Sequence, residues 1–363
     1  MSSRSKQPLA FHNVVVEVTQ ACHHRCLHCY NFWREERAPV RDPATLSRAE
    51  ILEIIRKVRR DTPSLEQVAL SGGEPLLRPD LPEIASDLAR EGLNVVVITS
   101  GTLLNDERLQ RFPSNTVFEF TLFSIDAKLH DQIAGRPGTF AKVLRGIQCA
   151  ARHNFQLAMA CVINRLNAHD VLQTIELGIA LKAQAVLFNR INLSRSTLPL
   201  AEQLVPSAKQ LTEALDAAEE AARLYGISVA VSVPIPPCII DISRYQHLHF
   251  GWCPRGGDAA YYTIGYDGLV RPCNHSSVVL GDLRRESFAQ IVTRESTQRF
   301  WQPIPLECRT CQHPLRDSCR GGCLAAGHEC HGSGELMDPF IAHCLSTTPA
   351  QQYISISRSK SPS

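Results

Sequence analysis

Residues 14–30 read VVVEVTQACHHRCLHCY, so an apolar run typical of a buried strand leads directly into three closely spaced cysteines. Cys22, Cys26 and Cys29 follow a C-x3-C-x2-C pattern. Barrels and open α/β sheets carry their active sites on loops at the carboxyl ends of strands. The stretch therefore predicts a metal-binding active-site loop that begins where the first strand ends.

Strands and helices alternate from this stretch onward. Apolar patterns predict further strands at 67–71, 94–99, 117–125, 155–163, 184–191 and 227–233. Helical periodicity predicts helices at 46–59, 80–91, 105–111, 139–152, 168–182 and 207–225. Such alternation gives parallel βαβ units, which right-handed crossovers wind into a barrel. We expect an α/β fold, a partial (β/α)6 TIM-like barrel followed by a Cys-rich C-terminal domain.

The alternation stops near Pro234–Cys238, after which Gly, Pro and Cys become frequent. This change predicts a domain boundary near residue 235. The expected parts are a flexible N-terminal arm at 1–11, the barrel at 12–235, the cysteine-rich domain at 236–350 and a disordered tail at 351–363.

The amino-acid composition limits the cellular location and the classes of partner that we expect. With 20% charged residues and a formal net charge of +2, nothing global attracts the chain to nucleic acid or to an anionic membrane. The chain shows no signal-peptide core and no run of 18 apolar residues, so we expect a cytoplasmic, reduced location. The 14 cysteines are bunched rather than spread, which favours metal or cluster ligation over disulfides.

Three thiolates suit a [4Fe-4S] cubane, because they hold three irons and leave the fourth open to a substrate or cofactor. The alternatives are a redox-inert cluster and a structural zinc site that adds His23, His24 or His28. The turn SGGEP at 71–75 ends the second strand and therefore shares a rim with the cysteines. This position favours the open cluster.

The cysteine pattern with its following aromatic residue, together with the GGEP turn, resembles the radical SAM superfamily over roughly residues 12–235. The resemblance implies that the three cysteines ligate a [4Fe-4S] cluster whose fourth iron is chelated by S-adenosylmethionine (SAM). It also implies SAM contacts from Tyr30, Gly72, Gly73, Glu74 and Ser124.

Each of these SAM contacts has a physical rationale. The two glycines would let backbone groups approach the SAM ammonium without a Cβ in the way, and Glu74 would supply a negative charge beside it. Tyr30 would lie against the adenine. Ser124, with Asp126, matches the position that contacts the ribose and carboxylate of SAM, although a turn former at a strand end is the alternative for Ser124.

Eight cysteines follow between residues 253 and 344: Cys253, Cys273, Cys308, Cys311, Cys319, Cys323, Cys330 and Cys344. With a hairpin-like insert at 261–273 they make a framework with little apolar core, so bound metal must supply folding energy. Structural zinc is one alternative. The pattern resembles the SPASM extension of radical SAM enzymes over about residues 238–344.

The SPASM resemblance implies two auxiliary [4Fe-4S] clusters. Matching implies Cys238, Cys253, Cys273 and Cys323 for the first cluster and Cys308, Cys311, Cys319 and Cys344 for the second. The gap from Cys311 to Cys319 is two residues longer than the common form, and Cys238 lies farther from Cys253 than usual. Cys330 is an extra cysteine that could replace Cys344.

The resemblance further implies reductive cleavage of SAM to a 5′-deoxyadenosyl radical, which abstracts a hydrogen atom from a C–H bond, while auxiliary clusters accept the second electron. Such enzymes usually act on peptides or proteins. We therefore expect an oxidoreductase that cross-links or oxidises a residue of a peptide. Asn274 stands where sulfatase-maturing enzymes have a basic aspartate, which makes that branch less favoured.

Three alternatives stay open: a sulfatase-type protein maturase, a small-molecule radical SAM dehydrogenase or epimerase, and a non-catalytic iron–sulfur electron-transfer protein. The expected partners are a peptide or protein substrate and a flavodoxin- or ferredoxin-type reductant, with no nucleic acid and no membrane. Because only about 11 residues precede the first strand, a separate protein is expected to recognise the leader of a precursor peptide.

Overall fold

A computed structural model describes residues 11–34, 45–256 and 260–347 of the chain. Residues 1–10 of the predicted arm and the predicted tail at 351–363 lie outside the described residues. Phe11 is buried, and its ring packs against the rings of Tyr262 and Phe288. The chain is thus anchored to its cysteine-rich part before the first strand begins.

The described residues form one sheet of 11 strands, in the order β11-β10-β9-β1-β2-β3-β4-β5-β6-β7-β8. The strands are β1 Asn13–Glu17, β2 Gln67–Ser71, β3 Asn94–Thr99, β4 Val117–Thr121, β5 Gln156–Ile163, β6 Ala185–Arg190, β7 Ser228–Val231, β8 Leu248–Phe250, β9 Thr263–Ile264, β10 Leu269–Arg271 and β11 Gly281–Asp282. Every pairing from β1 to β8 is parallel. The carboxyl ends of these strands therefore share one rim.

The helices are α1 Arg48–Asp61, α2 Leu81–Arg90, α3 Asp106–Leu109, α4 Ala127–Ala134, α5 Thr139–Arg152, α6 Val171–Ala180, α7 Ala201–Leu204, α8 Ala208–Tyr225, α9 Phe288–Thr293, α10 Glu295–Phe300, α11 Arg316–Cys319, α12 Leu324–His331 and α13 Pro339–Thr347. Because consecutive strands from β1 to β7 are neighbours and crossovers are right-handed, the connecting helices fall on one face of the sheet. We call the opposite, concave face the lumen.

The burial of side chains along β4 shows which residues face the helices and which face the lumen. Phe118 and Phe120 are fully buried in the main core, and the Phe118 ring packs against Phe112 and Phe155, which lie next to helices α3 and α5. Side chains alternate between the faces of a strand, so Glu119 faces the lumen.

The predicted partial barrel is confirmed, and its predicted strands and helices are present with four differences. The strand predicted at 117–125 ends at Thr121, since the chain turns there to bury the Ser124 hydroxyl. Helices α4 and α7 were not predicted. Strand β8 was also missed, because three residues are too few to show a period.

Residues beyond 235 join both ends of the sheet. Strand β8 pairs with β7, and β9 pairs in parallel with β1. The hairpin expected at 261–273 is present as β9 and β10, with Gly268 in the left-handed conformation at its turn (φ +83°). The domain boundary near 235 stays a prediction, because residues on both sides of it share one sheet.

Two buried ion pairs join the barrel to the C-terminal part. Glu17 at the end of β1 pairs with Arg271 of β10, and both side chains are 3% exposed. Arg190 at the end of β6 pairs with Asp338 at 2.5 Å, and neither side chain is exposed. Arg190 also donates to the carbonyl oxygens of Pro234 and Ile191. These charges stabilise the junction only as intact pairs.

Within the described residues, no helix is long and apolar enough to cross a membrane.

The Arg190–Asp338 pair gives a first testable prediction. Asp338→Asn should lower the free energy of unfolding by about 3 kcal/mol, because it leaves the Arg190 charge buried without its partner. Denaturant unfolding under anaerobic conditions measures this change. Glu213→Gln breaks an exposed helical pair with Lys209 and is the control, expected to cost less than about 0.5 kcal/mol. Equal costs for both variants would contradict the assignment.

Candidate active site

Pairing between β1 and β2 continues past the strand ends and fixes the cysteine loop. Gly73 N donates to Thr19 O at 2.8 Å, and Glu74 N donates to Ala21 O at 2.8 Å. A Cβ on Gly72 would lie 2.2 Å from Thr19 O, and one on Gly73 would lie 2.3 Å from Ala21 O. The two glycines are therefore required for the close approach of the two loops. Their proposed contact with the SAM ammonium stays a prediction.

Glu74 is buried, and its carboxylate is fully occupied by hydrogen bonds. One oxygen accepts from Leu76 N at 3.1 Å and from the Thr99 hydroxyl at 2.5 Å. The other oxygen accepts from the backbone N–H of Ser100 at 2.9 Å and from its hydroxyl at 2.5 Å. Glu74 thus locks the end of β2 to the end of β3.

The loop that carries Cys22, Cys26 and Cys29 lies on the end of helix α4. Arg25 N donates to Ala134 O at 3.1 Å, and Leu27 N donates to Ile133 O at 2.9 Å. The Cys22 thiol is exposed, and the other two are half-buried. The cysteines therefore stand on a braced loop at the rim.

A site for a single metal ion is not preformed at this loop. Among the residues that the structure describes, one group of three potential ligand atoms lies within 4.8 Å of one another, and it is Asp106, Cys149 and His153. Of the histidines in the zinc alternative, His23 bonds the Thr102 hydroxyl at 2.8 Å and His28 packs edge-on against Phe123. Cysteines that each ligate a different iron need no such close approach.

Ser124 is fully buried at the end of β4, close to the cysteine loop. Its hydroxyl donates to the Asp170 carboxylate and accepts from Asp126 N at 2.9 Å. Burial raises the pKa of Asp170, and the hydrogen bond from Ser124 opposes that rise. The sequence analysis missed Asp170, which falls within the helix predicted at 168–182.

Tyr30 connects the cysteine loop to the C-terminal part. Its hydroxyl accepts from the Asn274 side chain at 2.8 Å, and its ring meets the His275 ring edge-on at 4.3 Å. Burial raises the pKa of Tyr30, so the phenol stays neutral. The expected contact of Tyr30 with adenine stays a prediction.

Glu119 is the functional candidate that the sequence pattern did not reveal. It faces the lumen between Ile98 of β3 and Ala158 of β5, and no described residue gives its carboxylate a hydrogen bond or an ion pair. Burial raises the pKa of Glu119 to about 7. The other carboxylate at this level, Glu17, is already paired with Arg271. Glu119 is therefore available to a molecule in the lumen.

The C-terminal cysteines fall into two groups, and the first lines a cavity. Cys253, Cys273 and Cys323 border a cavity between the end of β7 and the cysteine-rich segment. Burial raises the pKa of the Cys273 thiol, and the Cys323 and Cys253 thiols raise it further. The three thiols therefore line one cavity, and those of Cys253 and Cys323 influence the pKa of Cys273.

Cys238 belongs to the second group, with Cys308, Cys311 and Cys319. Burial raises the pKa of the Cys238 thiol to about 12, with further increases from Cys319, Cys308 and Cys311. These neighbours favour the second group for Cys238, whereas the expected partition, with Cys253, Cys273 and Cys323, stays a prediction. Strand β8 lies between Cys238 and Cys253 in the chain.

Cys344 also departs from the expected partition. It lies in α13, and its thiol meets Pro206 O at 3.9 Å. Burial raises the pKa of the Cys344 thiol to about 12, and Arg190, Asp338 and Arg165 are charged neighbours of this thiol. Cys330 has Cys323 as its cysteine neighbour. Neither cysteine stands with the second group.

Glu119 gives a second testable prediction. Its folded-state pKa is raised above the ordinary value, so the folded protein prefers the neutral acid and loses stability as pH rises from about 4.5 to about 7. Glu119→Gln mimics the neutral acid. It should be more stable than the wild type at pH 8 by up to about 3 kcal/mol. Unfolding curves between pH 5 and pH 8 measure the difference, with Glu213→Gln as control, and a gap that does not vary with pH would refute it.

Two family models match the chain. The model described as the Radical SAM superfamily matches residues 16–178, and the SPASM model, described as an iron-sulfur cluster-binding domain, matches residues 253–321. The first match contains the cysteine loop and the glycine turn. The second contains Cys253 and Cys273 of the first cysteine group and Cys308, Cys311 and Cys319 of the second.

Curated relatives and solved structures resemble the chain along most of its length. PqqA peptide cyclase from Granulibacter bethesdensis is 26% identical over 341 residues, covering 91% of this chain and 86% of the relative. AdoMet-dependent heme synthase from Methanosarcina barkeri is 25% identical over 353 residues, covering 90% and 95%.

Two solved structures share the fold. SuiB from Streptococcus suis, bound to the precursor peptide SuiA, has a TM-score of 0.71 at 14% identity and covers 91% of this chain and 76% of its own. The enzyme anSMEcpe with bound AdoMet has a TM-score of 0.69 at 16% identity and covers 95% and 96%. The two family models, matched in this order along one chain, show that it belongs to the radical SAM superfamily and carries a C-terminal SPASM domain.

Proposed function

We propose that this protein is a radical SAM oxidoreductase that abstracts a hydrogen atom from a peptide substrate and leaves a cross-linked or oxidised residue. The observation that carries the proposal is the contact of Tyr30 with Asn274 and His275. This contact joins the loop of Cys29 to the segment that follows Cys273. A site for radical formation and a site for electron removal then border the same lumen.

The residues at the rim fit a [4Fe-4S] cluster with SAM. Cys22, Cys26 and Cys29 would hold three irons, on a loop fixed by hydrogen bonds to the glycine turn and to α4. When bound, the cluster and SAM supply the 5′-deoxyadenosyl radical. Gly72, Gly73 and Tyr30 would contact SAM, while Glu74 would act by fixing Thr99 and Ser100. Ser124 would bind SAM through its hydroxyl, which also donates a hydrogen bond to the Asp170 carboxylate.

The two C-terminal cysteine groups support two auxiliary clusters. We assign Cys253, Cys273 and Cys323 to the first cluster, beside Tyr30 and the lumen. We assign a second ligand set of Cys238, Cys308, Cys311 and Cys319. An electron from the substrate radical would leave through the first cluster, because that cluster is next to the barrel. The protein would then have two functional parts, the barrel at 12–235 and the SPASM domain at 236–350.

The substrate class is inferred from relatives. PqqA peptide cyclase is named for a peptide, and SuiB was solved with a precursor peptide. A reduced cytoplasm would keep the thiol ligands available, a flavodoxin- or ferredoxin-type protein would supply electrons, and a separate protein would recognise the leader of the peptide. The lumen acid Glu119 would face the inserted residue.

A small-molecule substrate is the second candidate. The heme synthase of Methanosarcina barkeri matches the chain over nearly its whole length, which favours this candidate independently of the peptide enzymes. A sulfatase-type maturase has less support, since the Asn274 amide cannot accept a proton and donates to Tyr30 instead.

SAM cleavage gives a third testable prediction. Reconstituted protein with dithionite and SAM should form 5′-deoxyadenosine and methionine in equal amounts. The triple variant Cys22→Ala/Cys26→Ala/Cys29→Ala should form neither, because no open iron remains to chelate SAM. Chromatography of the quenched reaction measures both products. Cys161→Ala, at a core cysteine that faces the helices, should retain the activity, and cleavage by the triple variant would contradict the assignment.

Iron content gives a fourth prediction. Three cubanes should give about 12 irons per chain, falling to about 8 in the same triple variant. Iron and sulfide analysis after anaerobic reconstitution measures both values. About 4 irons falling to none would mean that the SPASM domain holds no cluster, and the electron acceptor of the proposal would be lost.

The substrate is tested with short peptides encoded by the open reading frames that flank the gene. Each is incubated with reconstituted protein, SAM and dithionite. Loss of two hydrogens from one peptide, detected by mass spectrometry, supports the peptide assignment. Turnover of a porphyrin-type substrate with no change in any peptide would favour the second candidate.

A further inference from the structure

The first cysteine group supplies three thiols, whereas a [4Fe-4S] cubane has four irons. This inference rests on the proposed function, because it assumes that Cys253, Cys273 and Cys323 hold a cluster. The remaining ligand position is decided by which side chains border the cavity that the three cysteines share.

No fourth cysteine lines this cavity among the described residues. Cys238 is with the second group, and Cys344 lies against Pro206. Cys330, in α12, is a neighbour of Cys323 but does not border the space. The position is therefore open to a different type of side chain.

His275 borders the cavity beside the three cysteines. Its backbone N–H bonds the sulfur of Cys273, which brings the two residues together at the cavity wall. Two hydroxyl side chains, Ser232 and Tyr261, also line the cavity, and the rest of the lining is apolar or aromatic: Val233, Pro234, Trp252, Pro254, Pro272, Phe300, Trp301, Leu324 and Ala325. Imidazole is a good iron ligand, so His275 is the side chain there best suited to iron.

The ring of His275 is held in place but lacks hydrogen-bond partners. It meets Tyr30 edge-on at 4.3 Å with 71° between the ring planes, and Tyr30 is itself fixed by Asn274. No described residue gives a hydrogen bond to either ring nitrogen of His275. A ring nitrogen of His275 is therefore available to bind a metal in the cavity.

We infer that His275 is the fourth protein ligand of the iron–sulfur cluster held by Cys253, Cys273 and Cys323. The cluster then has three thiolates and one neutral imidazole. Replacing a thiolate by an imidazole removes negative charge from the cluster and raises its reduction potential. A raised potential suits a cluster that accepts an electron from a substrate radical. Tyr30 acts as a positioning residue, since it orients the imidazole from the loop of Cys29.

Pulsed EPR of the reduced protein tests the ligand directly. The full-length triple variant at Cys22, Cys26 and Cys29 removes the SAM cluster signal, and labelling all histidines with ¹⁵N marks imidazole ligands. We expect a strong ¹⁵N coupling on one reduced cluster, lost in His275→Cys while the iron content stays at about 8. His328→Ala is the matched control, because the His328 ring stacks on Phe300 behind the cavity and should leave the coupling unchanged.

The reduction potential provides a second readout that needs no substrate. His275→Cys restores four thiolates, so the reduction potential of its cluster should fall. At the wild-type midpoint potential, the ratio of reduced to oxidised cluster should be about tenfold lower, which corresponds to about 59 mV for one electron. Should His275→Cys fold poorly, the labelled parent protein still decides whether a histidine binds iron.

Each result bears on one inference only. Absence of ¹⁵N coupling at full iron content, or coupling that survives His275→Cys, would overturn the ligand assignment. Loss of the cluster in Cys330→Ala without any ¹⁵N coupling would also overturn it and give the position to Cys330. Absence of the first auxiliary cluster from the iron count would instead overturn the proposed function.

Discussion

The close approach of two backbone loops is the constraint on which the rest of the site depends. Parallel pairing of β1 with β2 does not end at Glu17 and Ser71 but continues through Thr19 and Ala21. It can continue only because Gly72 and Gly73 have no Cβ to meet those carbonyl oxygens. This pairing determines where the chain leaves the sheet, and so where Cys22 begins the cysteine loop. Helix α4 then supports the far side of the loop through Arg25 and Leu27.

Electrostatics joins the two halves of the protein. Glu17–Arg271 and Arg190–Asp338 each place one charge at the end of a barrel strand and the other in the C-terminal part. Charges this deeply buried tolerate little displacement, because a separated partner would remain in a low-dielectric interior. The pairs therefore fix the orientation of the cysteine-rich part over the barrel. Asp338 also accepts from Cys323 N, which extends this control to a cysteine of the first group.

The cysteine partition has consequences for chemistry. The first group lies against Tyr30 and the lumen, whereas the second is built around Cys238 and the segment from Cys308 to Cys319. In the proposed function this arrangement orders the clusters, with the first next to the substrate and the second behind it. Among the residues that the structure describes, Glu119 gives the lumen a carboxylate that has no hydrogen-bond or ion-pair partner.

The sequence by itself determined the alternation of strands and helices, the rim position of the first cysteines and the presence of a cysteine-rich end. These features follow from local periodicity and from spacings of a few residues, which a linear pattern records. Tertiary structure decided what joins residues far apart: the partition of the later cysteines, the Tyr30–Asn274 contact, the saturation of Glu74 and the exposure of Glu119 to the lumen. Spacing could not predict these, because an edge strand as short as β8 leaves no periodic signal yet lies between Cys238 and Cys253 in the chain. Contacts between distant segments depend on the curvature of the sheet and on which ion pairs form. No single stretch of the sequence determines either of these.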